Sequence, residues 1–365
     1  MLKRTPLFDV HKEYGAKIIE FFGWEMPVQY EGLVEEHNAV RNAAGIFDVS
    51  HMGEVEVTGE EALDYVNNLV TNNVADLVDG QVLYAFMCYE KGTVVDDLLV
   101  YRFNQNHFYL VINASNIDKD FKWMQEQVGD YRVKIENTSD NVAEVAVQGP
   151  EAQNILQTLT DTDLNEIKFF HCRRDIKVAG VNCLVSRTGY TGEDGFEVYT
   201  APADVATVWN AFLEAGKEKG AMPAGLGCRD TLRFEACLPL YGQELSDEIT
   251  PLEAGLKMFV KLDKENFIGK EALVKQSEEG LKRRIVGFEI SKGIARHGYD
   301  VVNGGEKIGF VTTGYKSPTL GTSIGLAMVD IEYAKLGTEI EIQVRKKTQK
   351  AVTISKRFLK KNYKK

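Results

Sequence analysis

Two adjacent carboxylates inside an apolar run stand out in this sequence. Residues 93–100 read Thr-Val-Val-Asp-Asp-Leu-Leu-Val, with Asp96 and Asp97 at the centre. Strand alternation sends Asp96 to the face of Val94 and Leu98, and Asp97 to the face of Val95 and Leu99. At least one carboxylate then stands in mostly apolar surroundings. Burial disfavours its charged form and raises its pKa, which suits a base or a stabiliser of positive charge. The competing reading is a structural pair, one Asp at a bulge or edge and the other on solvent. Aspartate is depleted in strands but not absent from them.

Residues 189–198, Gly-Tyr-Thr-Gly-Glu-Asp-Gly-Phe-Glu-Val, have a glycine spacing that invites a phosphate loop. A phosphate loop opens a helix, whereas this segment leads into a strand, so the glycines are read as a tight turn. Glu197 is different. It lies within the strand 196–199 beside aromatic residues, where a carboxylate needs partners. In 225–235 a helix starts after two glycines and sets Arg229 and Arg233 one turn apart on one face. A carboxylate partner is the plainer reading for each. The six histidines (His11, His37, His51, His107, His171 and His297) make no metal spacing. No nucleophile elbow, Walker motif or dinucleotide fingerprint is present.

The elements that position these residues follow a repeat. Residues 51–58 alternate as a strand, and 60–70 form a helix with Leu63, Val66 and Val70 on one face. Strands at 84–89, 93–103 and 107–112 have short polar connectors and should pair antiparallel. A helix follows, capped at Ser115 or Asn116, with the stripe Ile117, Phe121, Met124 and Val128. A strand at 131–136 closes the unit. The order then recurs: strand 142–147, helix 151–159, one or two strands in 177–187, strand 196–199 and helix 203–219. Two successive units of this kind suggest tandem ferredoxin-like subdomains in an α+β fold. After about residue 275, short strands at 284–290, 307–313, 323–329 and 339–344 alternate with Gly-rich turns, the pattern of a small C-terminal β-barrel.

Bulk properties narrow the function. The 365 residues are enough for two or three domains. Lys+Arg 43 against Asp+Glu 54 gives −11, a poor match to nucleic-acid binding. Cys88, Cys172, Cys183, Cys228 and Cys237 show no metal or redox spacing and read as reduced structural thiols. No apolar run reaches membrane-helix length, and no signal segment precedes Asp9. A bacterial cytosol is therefore expected, ahead of a mitochondrial matrix. The tail from Arg345 carries Lys346, Lys347, Lys350, Lys356, Arg357, Lys360, Lys361, Lys364 and Lys365. It reads as a solvated tail or as a docking patch for an acidic partner.

Together these segments resemble a known family. The run from Leu83-Tyr84 through residues 93–98 is similar to the signature strand pair of the T-protein family of the glycine cleavage system, the aminomethyltransferases. So are 110–116, 187–197, 225–235, 239–242 and 251–256. The barrel contributes Gly309 to Thr313 and Ser-Pro-Thr-Leu at 317–320, and the N-terminus Thr-Pro-Leu at 5–7 and Phe-Gly-Trp-Glu-Met-Pro at 22–27. The likeness is colinear over nearly the whole chain.

The resemblance implies a three-domain cloverleaf with folate in its central channel. The domains would be 1–50 with 137–222 and 244–274, then 51–136 with 223–243, then 275–365. It implies transfer of an aminomethyl group from the lipoyl arm of the acidic H-protein to tetrahydrofolate, a co-substrate. Ammonia and 5,10-methylenetetrahydrofolate would be the products, with no metal. Asp96 falls at the family's catalytic aspartate and Glu197 at its pterin-binding glutamate. Arg229, Tyr84, Asn113 and Tyr190 match folate-channel positions. Tyr363 aligns with a tail tyrosine that contacts the ligand, although the run 356–361 lacks the prolines usual there. A rival branch of the superfamily is a non-catalytic folate-binding module for iron–sulfur assembly and repair. It carries a Lys-Gly-Cys-Tyr-x-Gly-Gln-Glu motif, whereas here Cys237 precedes Gln243 by six residues without Lys-Gly.

Overall fold

The computed structural model describes residues 2–344 and 347–364. Arg345, Lys346 and Lys365 of the basic tail lie outside the described residues.

The repeat is present. A lone strand β1 (Ala44–Asp48) precedes it. The first copy runs β2 (Gly53–Thr58), α1 (Ala62–Leu69), β3 (Val82–Cys88), β4 (Val94–Asn104), β5 (His107–Ile112), α2 (Ile117–Glu126) and β6 (Lys134–Asn137). The second runs β7 (Ala143–Gln148), α3 (Ala152–Gln157), β8 (Cys172–Val178), β9 (Val181–Ser186), β10 (Gly195–Thr200), α4 (Val205–Gly216) and β11 (Ala221–Pro223). The sheet orders are β3-β4-β5-β2-β6 and β8-β9-β10-β7-β1-β11. These are the same ferredoxin-like order, except that β1 is inserted between β7 and β11.

Each sheet buries one face under its helices. Val55, Ala85, Leu98, Val100 and Leu110 pack with Val66 and Met124 in the first copy. Val145, Val185 and Val198 pack with Ile155, Trp209 and Phe212 in the second. The other two faces look toward each other. There Val82, Tyr101, Tyr109 and Val111 of the first sheet meet Cys172 and Tyr199 of the second. The hydroxyls of Tyr101 and Tyr199 bond across the junction at 2.8 Å. The result is two sheets placed face to face between outer layers of helices.

Six strands close the C-terminal barrel, in the order Arg283–Ile290, Ser323–Asp330, Glu306–Lys316, Asp300–Asn303, Glu339–Val344 and Lys347–Ile354. One apolar cluster draws on all three bodies: Phe86 and Val94 from the first sheet, Phe234 from α5 (Leu226–Glu235), and Ile285 and Leu326 from the barrel. The Glu235 carboxylate adds a polar clamp, accepting from Thr319 Oγ1 at 2.7 Å and from Ser317 Oγ, with Arg41 Nη2 at 3.1 Å. Burial alone would raise its pKa. The His37 ring and these hydroxyl donors outweigh burial and hold it down at about 2.

Three details add to the sequence reading. The helix Lys270–Glu279 crosses the position where helical periodicity was expected to end. The sequence grouping sets 223–243 with the second domain. Helix α5 packs on both, with Cys228 and Leu232 on Val40, Phe47 and Ala146 of the first and Phe234 beside Phe86 and Val94 of the second. The barrel also uses two strands, Asp300–Asn303 and Lys347–Ile354, whose brevity or lysines hide them.

Candidate active site

The aspartate pair divides between the two faces of its sheet. Asp96 pairs with Met87, but Val94 pairs with Cys88, so Val95 is an extra residue and strict alternation fails there. Val95, Asp96 and Leu98 consequently turn toward the helix-covered side, where Val95 and Leu98 join the core. Asp96 is 0% exposed. Its oxygens accept from Asn113 Nδ2 at 2.8 Å, the Asn113 backbone N–H at 3.2 Å and Asn116 Nδ2 at 2.9 Å. Asp97 lies opposite Phe86, on the face of Tyr84 and Tyr101 that looks toward the second sheet, and it keeps solvent access. The alternation expected from Asp96 to Leu99 holds, Asp96 sharing a face with Leu98 and Asp97 with Leu99; the bulge changes only the side taken by Val95, and the carboxylate that faces the second sheet is Asp97.

Asp97 is held from two directions. Tyr84 donates its hydroxyl to Oδ2 at 2.8 Å, and Asn113 Nδ2 donates to Oδ1 at 2.9 Å. Burial, reinforced by the neighbouring charge of Asp96, pushes its carboxyl up to about 7, although both donors pull the other way. Burial and the Asp97 charge push the Tyr84 phenol well above its ordinary value, so it remains a donor.

The facing sheet supplies a second cluster. Glu144 pairs with Tyr199 and Ala146 with Glu197, so both glutamates point into the junction. Glu197 is 7% exposed and accepts from Thr188 Oγ1. Burial raises its pKa, while Thr188 and the Arg229 guanidinium oppose the rise. The Arg229 guanidinium sits 4.8 Å over the Tyr190 ring, whose hydroxyl donates to the Pro239 carbonyl. Burial and the nearby Arg229 charge depress His51 to about 4, so it is neutral at pH 7.

Among the described residues, several buried polar atoms of this junction have no protein partner: Glu144 Oε2, both Glu54 oxygens, Arg229 Nη1 and His51 Nδ1. Unpaired buried polar atoms are costly, and an arriving ligand can satisfy them. An acceptor-rich wall with one guanidinium suits a flat ring that offers several N–H donors and a carbonyl oxygen. No group of three metal-ligating side chains occurs among the described residues.

The structure therefore brings Tyr84, Asp97 and Asn113 together on one side and Tyr190, Glu197 and Arg229 on the other. Tyr363 stands apart from both groups, stacked on Phe169 at 4.5 Å and near Glu193 and Arg41. The neighbouring Asn362 anchors it by bonding Gly192 O at 2.9 Å and Glu193 Oε2 at 3.0 Å. Arg233 is structural: it binds Asp230 at 2.7 Å and Glu244 at 2.7 Å, and reaches Thr313 in the barrel. Sequence reasoning missed Glu54, Glu144, Tyr101, Tyr199 and His51. Glu144 carried the signal used for Asp96, a carboxylate between apolar strand residues.

Residues 7–264 match the GCVT N-terminal domain, and 283–360 match the glycine cleavage T-protein C-terminal barrel domain. The chain belongs to the glycine cleavage T-protein family. It is 63% identical over 365 residues to an aminomethyltransferase from a Thermoanaerobacter species, covering 100% of this chain and 99% of the relative. An aminomethyltransferase of Alkaliphilus oremlandii is 62% identical over the same span, with the same coverage. The crystal structure of glycine cleavage system aminomethyltransferase T from Bartonella henselae superposes with a TM-score of 0.93 at 29% identity, covering 100% of both chains. Nothing in these likenesses favours the non-catalytic iron–sulfur branch. Cys237 is a free cysteine at φ 53, with its thiol pushed up by burial, the profile of an inert side chain. The basic tail is partly tied down: Lys356 Nζ donates to Ala254 O at 2.7 Å, and Lys364 Nζ to Gln153 Oε1 at 3.2 Å.

Proposed function

We propose that this aminomethyltransferase moves a one-carbon unit from an aminomethyl group on the lipoyl arm of H-protein to tetrahydrofolate. The aminomethyl thioether and tetrahydrofolate become the free thiol, ammonia and 5,10-methylenetetrahydrofolate, and the atoms balance without an added oxidant or reductant. The observation that carries this reading is the placement of Asp97 and Glu197 on facing sheet surfaces, with unpaired acceptors and one guanidinium between them.

Glu197 accepts from the N–H edge of the pterin in two-pronged fashion. Arg229 Nη1 donates toward a ring acceptor, and Tyr190 lies beneath its guanidinium. Tyr84 and Asn113 fix the Asp97 carboxylate near the folate amine that receives the carbon. Loss of ammonia develops positive charge on the one-carbon unit. An ionised Asp97 in a mostly apolar wall stabilises that charge and orients the attacking amine. No metal takes part in this scheme. Tyr363 acts at one remove, by bracing the loop that carries Tyr190.

The same proposal keeps the third domain from about residue 275 and places the work in a bacterial cytosol. Among the described residues, no helix is long and apolar enough to cross a membrane. The lysines of the tail offer a surface for the acidic carrier. The test measures ammonia and 5,10-methylenetetrahydrofolate from aminomethyl-loaded carrier. Formation of both in equal amounts, only when carrier and tetrahydrofolate are present together, is expected. Folate binding without turnover would move the assignment to a non-catalytic folate module.

A further inference from the structure

Asp96 is left without a part in the chemistry, yet it is fully buried and directly linked to Asp97. The Asn113 amide nitrogen is 2.8 Å from Asp96 Oδ1 and 2.9 Å from Asp97 Oδ1, one N–H for each carboxyl. Behind Asp96, on α2, lies Asp120, also 0% exposed. No hydroxyl, amide or backbone N–H donates to either Asp120 oxygen. Its neighbours are the Asp96 carboxyl and the Lys119 ammonium, which is 3.1 Å from Oδ1. Lys119 is fixed in turn by the Val95 carbonyl and by the Tyr241 ring, 4.5 Å below it.

The charge count of this pocket is informative. Two ionised carboxylates beside one ammonium leave a net buried negative charge, which is strongly disfavoured. One proton between the carboxyls makes the group neutral and turns an acceptor–acceptor contact into a hydrogen bond. The direction for Asp120 agrees: burial, then the Asp96 charge, push it well above the ordinary carboxylate range.

We propose that Asp96 and Asp120 share a single proton, and that this pair, coupled through Asn113, is the positioning device that governs when Asp97 ionises. The proposal rests on Asp97 being the reacting carboxylate. The other titratable groups facing this region are Tyr84 from β3, Tyr190 from the glycine turn, Tyr241, and Lys119 from α2. Burial pushes all three phenols up, and Lys119 is the cation of the set.

The pair can be tested without turnover. Infrared difference spectra of Asp120→Asn against wild type at neutral pH are expected to lose one protonated-acid carbonyl band and no ionised-carboxylate band. The other buried acids cancel in the difference. Loss of an ionised-carboxylate band instead would overturn the shared proton. In wild type the same band should titrate away at high pH, which keeps the test valid if the variant folds poorly. The coupling is read from the acid limb of kcat. Asp96→Asn moves the remaining charge away from Asp97 and should shift the limb down. Asp120→Asn confines the charge to Asp96 and should shift it up. Each shift is expected to be about one pH unit. Shifts in the same direction, or none, would overturn the coupling even if the infrared result held.

Discussion

Asp97→Asn should lower kcat by about 10²- to 10⁴-fold, the usual range for removing one acid–base group. Tetrahydrofolate binding should stay within about threefold, because the pterin is gripped on the facing sheet. Asparagine keeps the volume and can still meet the Tyr84 hydroxyl, so the fold has no reason to change. What disappears is the negative charge opposite the one-carbon unit. Asp96→Asn should raise kcat at neutral pH by no more than about twofold, since it lowers the pH at which Asp97 ionises rather than acting on the substrate. The wild-type profile should carry the same signature. Burial and the Asp96 charge hold the Asp97 carboxyl near 7. An ionised Asp97 is the active form, so kcat falls as pH drops through that value and levels off above it. Rapid-quench measurement of product at saturating folate gives both results. Equal losses in Asp96→Asn and Asp97→Asn would argue that the pair acts as one unit.

The second large effect is on binding. Glu197→Gln exchanges a two-pronged carboxylate for an amide that presents one acceptor and a clashing donor pair. Charge-assisted hydrogen bonds contribute about 1.5–3 kcal/mol, so the Kd for tetrahydrofolate should rise roughly 10- to 100-fold. At saturation kcat should change by less than about fivefold, because Asp97 is untouched. Thr188 can donate to the glutamine oxygen as it does to Glu197, so the local hydrogen bonding survives. Calorimetric titration with tetrahydrofolate measures the first quantity. Unchanged affinity would remove Glu197 from the pterin site.

The repeat was legible because its helices carry clean apolar stripes and its strands are separated by short polar connectors. Trp209, Phe212 and Val208 are buried as their spacing implies, as are Val66 and Met124. Two kinds of feature were not legible. One is local irregularity. The extra residue Val95 joins Asp96 on the helix-covered side, and a second bulge between Arg173 and Ile176 leaves exposed charged residues at the start of β8. Alternation alone cannot reveal either, since a bulge depends on the partner strand. The other is long-range assembly. Glu54 and Glu144 stand 90 positions apart and meet only when the two sheets face each other. The same holds for the clamp of Glu235 to Ser317 and Thr319, which joins a helix to the barrel. Tyr363 was assigned from the end of the chain, where the tail's path depends on Asn362 docking at Gly192.

The most direct test of the site is a crystal structure with tetrahydrofolate bound. The expected result has the pterin N–H edge on Glu197, and the folate amine that receives the carbon within about 3 Å of an Asp97 oxygen. Asp96 should remain behind the sheet on Asn113, Asn116 and Asp120. A folate whose reacting amine meets Asp96, or one bound away from the junction of the two sheets, would contradict this placement.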